Sequence, residues 1–283
     1  MLTVYGVQAG GQPLWKSKLH HYQDFISFCE ELWRGWLAST LDLPSFVHTA
    51  FDLGAAPEPY VRFGAGRNPL VALLTNPGYT MCHQCRAAVE AGDGPLSSTV
   101  EYSAAARALG RFYERELKGA AAARIAALGK LSSMAGLQGV LQVEVCPFHS
   151  RSLPRKRTLL RTIDEGGLLG RYAERLEKFL RRRPVVIVSA VSSNRPLGIP
   201  AVKRNDWLRR LAKIAGLELD RAKCVRLVLK NTGRNTKVTA AAVVSFTGVV
   251  PKALVLMMGN NILPAEKGLR VLAEALRPTS AQL

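Results

Sequence analysis

Three observations predict an α/β fold, a three-layer α/β/α sandwich with a mainly parallel central sheet. Short apolar runs suited to strands buried on both faces recur along the chain. Helical patterns separate them from residue 68 onward. Each of the main runs then stops on a polar turn, the first of them Leu70–Leu74 followed by Thr75-Asn76-Pro77-Gly78. Pro77 supplies no ladder donor and Gly78 tolerates positive φ, so the chain must turn there. A chain of 283 residues, 48% hydrophobic and 21% charged, is long enough to fill such a core.

The elements come in order. Phe25, Phe28, Cys29, Leu32, Trp33 and Trp36 recur at three- and four-residue spacing, predicting a helical region over 20–43 with one apolar face. Pro44, Gly54, Pro57 and Pro59 break the next stretch into loop. We therefore expect a helical extension, residues 1–59, packed on a main domain of residues 60–283. After the strand at 70–74, an Ala-rich region over 103–135 reads as two helices parted near Lys118-Gly119. A second strand is expected at 139–145, ending in Cys146-Pro147-Phe148-His149. The basic segment Arg151, Arg155, Lys156, Arg157 and Arg161 comes next. A helix over 168–182 leads to a strand at 184–190 and a loop holding Ser193, Asn194 and Arg195. Asn205 and Asp206 suit the cap of a helix carrying Trp207, Leu208, Leu211 and Ile214. Strands at 224–230 and 253–258, then Asn260-Asn261-Ile262-Leu263-Pro264 and a helix over 265–276, complete the pattern.

Charge narrows the function. Lys and Arg number 39 against 21 Asp and Glu, a net charge of +18. Such an excess suits a polyanion, because each phosphate contact also releases counterions. The opening residues lack the charged and apolar blocks of a signal peptide, and the apolar stretch 238–258, interrupted by Pro251-Lys252, fits two buried strands better than a membrane span. Five cysteines, odd in number and sparse, are no disulfide framework. The expectation is a cytoplasmic, monomeric protein with no membrane span that binds a polyanion, nucleic acid ahead of a membrane surface or a ribosomal partner, which the same charge would fit.

In a parallel sheet, the loops after residues 75, 145, 190 and 258 would crowd one edge, which is where open α/β sheets bind ligands. They carry Asn76 and Tyr79, Phe148 and His149, Ser193 and Asn194, and Asn260 and Asn261. Over residues 60–278 the chain resembles the uracil-DNA glycosylase superfamily. Leu73-Leu74-Thr75-Asn76-Pro77-Gly78 is similar to the Asn-Pro-Gly form of that superfamily's first motif, Val145-Cys146-Pro147-Phe148 to the end of its second strand, and Met258 to Pro264 stands where its second motif stands. The resemblance implies that Asn76 orients an attacking water and that Asn260 belongs to the catalytic set. Many members place a His in the last loop; this chain has Asn260-Asn261 there, and His149 is the candidate to stabilise the departing base.

The implied chemistry is base excision: a base leaves the stack and enters a pocket lined by an aromatic face and amides. Tyr79 or Phe148 would stack on it, Asn194 or Asn260 would read its edge, and Asn261 would line the pocket. Donors aimed at the base would stabilise the charge it gains. An amide in place of an Asp at the first motif predicts a slow enzyme. With no Lys beside the motif to form an imine, the enzyme would be monofunctional and leave an abasic site. A modified pyrimidine fits a repair role or a defence role against phage with modified DNA. Arg151, Arg155, Lys156, Arg157 and Arg195 would hold the DNA, and Leu263 would fill the vacated stack.

No cofactor is expected from this reading. A competing constellation, Cys82-x-x-Cys85 with Cys146-x-x-His149, has the residue types and spacing of a zinc site, and relatives in the resembled superfamily sometimes carry an iron–sulfur cluster on differently placed cysteines. Two other functions remain open: a nucleic-acid-binding protein without catalysis, and a zinc-stabilised RNA-associated protein.

Overall fold

The structure, a computed structural model, describes residues 14–64, 68–75, 101–150, 154–165, 167–191, 197–228, 238–258 and 266–277. Seven strands form one sheet in the order β1-β3-β2-β4-β7-β6-β5. They are β1 (Tyr60–Phe63), β2 (Leu70–Leu74), β3 (Val140–Glu144), β4 (Val185–Val191), β5 (Lys223–Val228), β6 (Val238–Thr247) and β7 (Val250–Met258). The centre is parallel, β3 with β2, β2 with β4 and β4 with β7. Both flanks are antiparallel, through β1 with β3, β6 with β7 and β5 with β6. The sheet is therefore mixed, which corrects the expectation of a mainly parallel one. The antiparallel hairpin β6–β7 turns at Gly248, whose φ of 62° suits glycine. The stretch 238–258 holds two strands as expected, but the break falls at Gly248-Val249, and Pro251 is tolerated inside β7 because pairing with β4 begins only at Val185↔Lys252.

Alternate residues of the central strands point to opposite faces, and each face has its own core. On one side Val71, Leu73, Leu141, Val143, Ile187 and Leu254 pack with α1 (Leu14–Leu37), α5 (Lys156–Asp164), α6 (Gly167–Leu180) and α8 (Asp206–Ala215). On the other, Leu70, Ala72, Val140, Val186 and Val255 pack with α3 (Tyr102–Glu116), α4 (Gly119–Met134) and α9 (Glu266–Ala275). Short helices α2 (Ser45–Ala50) and α7 (Ile199–Lys203) complete the α-helices among the described residues, and Leu219–Arg221 adds a single 3-10 turn.

The N-terminal helix is tied into the main domain. Phe25 stacks on Phe179 of α6 at 4.7 Å between ring centroids. The Glu30 carboxylate accepts from the Ser103 backbone N–H at 2.9 Å, capping α3 from outside, where the helix's own Glu101 makes no side-chain cap. Asn205 caps α8 as expected, its side chain accepting from Leu208 N–H. The basic segment after β3 is partly helix: Leu159, Thr162 and Ile163 of α5 are buried at helical spacing, while Arg155, Lys156 and Arg157 are exposed. Among the described residues no helix is long and apolar enough to cross a membrane.

Candidate functional site

The direction of the strands defines the site. β2, β3, β4 and β7 are adjacent and point the same way, so their carboxyl ends share one edge of the sheet. At that edge Leu74 is in register with Glu144. Beyond the ladder the pairing continues, with Val145 N–H donating to Leu74 O and Cys146 N–H to Thr75 O, both at 2.9 Å. Thr75 is thus fixed on β3 immediately before Asn76. Asn76, Tyr79, Cys82, Cys85, Arg151, Ser193, Asn194, Arg195, Asn260, Asn261 and Leu263 lie outside the described residues.

The turn after β3 is described, and it corrects two expectations. Phe148 is 0% exposed and belongs to the apolar core with Val145 and Cys146, so it presents no open face for stacking. His149 is also buried, with Nε2 3.1 Å from Glu58 Oε1. Instead of reaching outward to a ligand, its ring joins a network in the interior. Both Glu58 oxygens accept from the Tyr113 hydroxyl, at 2.9 and 2.8 Å. The main chain reinforces this: Asp52 N–H donates to His149 O and Glu58 N–H to Pro147 O, each at 2.8 Å. A polar turn that would otherwise leave buried groups unpaired is thereby bound to residues 52–59.

Cys146 is buried, and burial pushes its thiol up to about 12. Among the described residues no group of three or more His, Cys, Asp or Glu side chains could hold a metal ion.

A second carboxylate is the one the sequence offers as the nearest candidate acid in place of an Asp at the first motif, although a Glu near a strand end is more often structural. Glu144, the last residue of β3, is 2% exposed. Burial raises its carboxyl from the usual 4.5 to about 8, with Arg124, a hydrogen bond from Gln142 and His149 pulling the other way and Glu58 adding to the rise. Gln142 Nε2 donates to Glu144 Oε1 at 2.9 Å. The Tyr172 hydroxyl holds the Glu144 backbone carbonyl at 2.7 Å from the opposite face. Arg124, on α4, is attracted to Glu144, while burial lowers its own pKa. A carboxyl that is neutral near pH 7, at the carboxyl end of a parallel strand, can donate or accept a proton there. The sequence signal for this pair was the alternation Val140-Leu141-Gln142-Val143-Glu144, polar on one face only. Glu58, Tyr113 and Arg124 had no such local sign. No family model, curated protein or solved structure matches this chain.

Proposed function

We propose that the protein is a monofunctional DNA glycosylase that takes a pyrimidine base, modified or not, into the carboxyl edge of its sheet and removes it by water attack. The observation that carries this reading is the alignment of strand ends: β2 is paired to β3 up to Thr75, so Asn76 follows a rigid strand end beside Glu144. Asn76 is the residue that would orient the water, and a fixed backbone just before it suits that task. The net charge of +18 supports a polyanionic substrate. So does α5, which opens on exposed Arg155, Lys156 and Arg157 with no acidic residue in its first turn. Cations at a helix N-terminus repel the macrodipole, so this arrangement is favourable only when an anion arrives.

The test is incubation of the protein with single- and double-stranded DNA bearing uracil or bulkier modified pyrimidines, followed by alkali to cut abasic sites. Asn76→Ala should lower base release by about 100-fold or more while DNA affinity stays within about two-fold. Undiminished release in that variant would remove Asn76 from the mechanism. Tight DNA binding without release of any base would replace the glycosylase with a nucleic-acid-binding protein.

A further inference from the structure

An open cavity of about 420 Å³ lies between the end of α1, α2 and the loop that follows α2. This is within the roughly 300–1,000 Å³ of small-molecule pockets. Its apolar wall includes Trp36, Leu37, Leu41 and Leu53, all half-buried, and the polar side chains lining it are Ser39 and His48, both exposed. Ser39 N–H donates to Trp36 O and Thr40 N–H to Gly35 O, which closes α1 with Ser39 in the left-handed backbone at φ 54°. Glycine adopts that conformation freely; among the described residues Ser39 alone adopts it with a side chain. Leu41 then lies over Gly35, where a Cβ would come within 2.6 Å of Leu41 Cδ2. The Trp36 indole N–H is already given to the Leu53 carbonyl at 3.0 Å, so Trp36 offers the cavity ring carbon and no donor.

The surroundings fix the place of this cavity. Leu53 and Gly54 follow Asp52, whose N–H donates to His149 O, so the cavity adjoins the turn after β3. α2, which lines the cavity through His48, also carries Phe46, and the Arg161 guanidinium lies over that ring, 4.2 Å from its centroid, while pairing with Glu165. Arg157 precedes Arg161 by one turn on the same face of α5, next to exposed Arg155 and Lys156. The acids beside the cavity are Asp42, exposed next to Leu41, and Asp52, whose Oδ1 accepts from Gly54 N–H at 3.1 Å. Phosphates are therefore favoured on the α5 side.

We infer that this cavity receives one unstacked base of a DNA strand whose phosphates run along the exposed cations of α5. The flat faces of a base suit ring carbon and leucine, and its polar edge suits the Ser39 hydroxyl and the His48 imidazole, each able to donate or accept. An aromatic-lined cavity beside cations is the combination by which proteins hold single strands without reading their sequence. None of the lining residues belongs to a strand, so the cavity is separate from the strand end that Asn76 follows. It holds a neighbour of the base that is removed. The inference rests on the DNA-binding part of the proposed function and is independent of base removal.

The experiment is fluorescence anisotropy of the full chain with two single strands of equal length, oligothymidine and a strand of abasic tetrahydrofuran units. The parent should bind oligothymidine at least about 10-fold more tightly, the low end of what stacking one base on an aromatic side chain gives. Trp36→Leu, which keeps apolar bulk without the ring, should cut that preference at least about 5-fold, while affinity for the abasic strand stays within about two-fold. Trp36 also packs on Trp33, at 5.2 Å between ring centroids, so the unaltered protein supplies a second measurement. A strand carrying 5-iodouracil, irradiated and analysed by mass spectrometry, should cross-link to Trp36 or His48. Equal affinity for the two strands, an unchanged preference in Trp36→Leu, or cross-links confined to residues outside the cavity would overturn the base and leave the cavity to a small apolar molecule. The two readings fail separately. Base release that depends on Asn76, with a strand preference that ignores Trp36→Leu, would keep the glycosylase and sink the base cavity. Cross-linking to Trp36 in a protein that releases no base would keep the cavity and sink the glycosylase. Failure to bind either strand would overturn both.

Discussion

Glu144→Gln should make the protein more stable at pH 8 than the parent, and by an amount that grows from pH 5. In the folded chain the Glu144 carboxyl titrates at about 8, against 4.5 for the ordinary group. Between those values the native state holds a proton that the unfolded state has lost, so stability must fall as pH rises through the window. The slope is about 1.4 kcal/mol per pH unit, and the whole span amounts to about 5 kcal/mol. Gln has nearly the same shape, keeps an oxygen for the Gln142 amide and cannot ionise, so its curve lacks this term. The assay is urea unfolding of both proteins at half-unit steps from pH 5 to 8. Lys252, whose pKa burial and Arg183 lower to about 7, acts in the opposite sense above that value, but it is common to both proteins and cancels in the difference. Parallel curves would show that Glu144 is ionised in the folded state and that its burial has been misread.

Three further outcomes are expected. Reversing Arg155, Lys156 and Arg157 to Glu should weaken DNA binding and cut the slope of log affinity against log salt by up to about 3, measured by anisotropy at several salt concentrations; an unchanged slope would make the run a solvated face. Lys252→Met should cost about 1–3 kcal/mol in urea unfolding, because Nζ donates to the Leu180 and Arg183 carbonyls at the end of α6 and, while Leu180 keeps the Arg183 N–H, the Arg183 carbonyl would lose this donor. Gly110→Ala should cost about 1–3 kcal/mol, since a Cβ there would run into the Arg62 carbonyl of β1, and a neutral effect would mean that α3 can shift off the sheet.

Much of the scaffold was legible because its signals are local. β2 runs from Leu70 to Leu74 as the apolar run indicated, and α3 and α4 part at Lys118-Gly119. What was misread has physical reasons. In α5 the dense cations hid the buried Leu159 and Ile163, whose spacing alone marks a helix. The mixed character of the sheet depends on a turn at Gly248-Val249, inside an apolar stretch where Pro251 was the louder signal. The site was legible only as a place. His149 and Phe148 were rightly placed at a strand end, but the direction of a side chain there is set by distant partners: Glu58 is held by Tyr113, 55 residues away, and no pattern in either segment announces the other.

The two ends of the sheet treat buried charge in opposite ways, and this contrast separates structure from function. At the amino end Lys252 is 0% exposed, yet its Nζ donates to the Leu180 and Arg183 carbonyls at the end of α6, so its burial closes a helix terminus. That is a complete structural account. At the carboxyl end Glu144 is 2% exposed, and one of its oxygens and the Nε of Arg124 remain unmet. If Glu144 served only the fold, Gln would keep an oxygen for the Gln142 amide without an ionisable group, and selection for stability would favour it. A carboxyl kept where it destabilises, at the strand end where parallel sheets take their ligands, is better explained by what it meets than by what it supports.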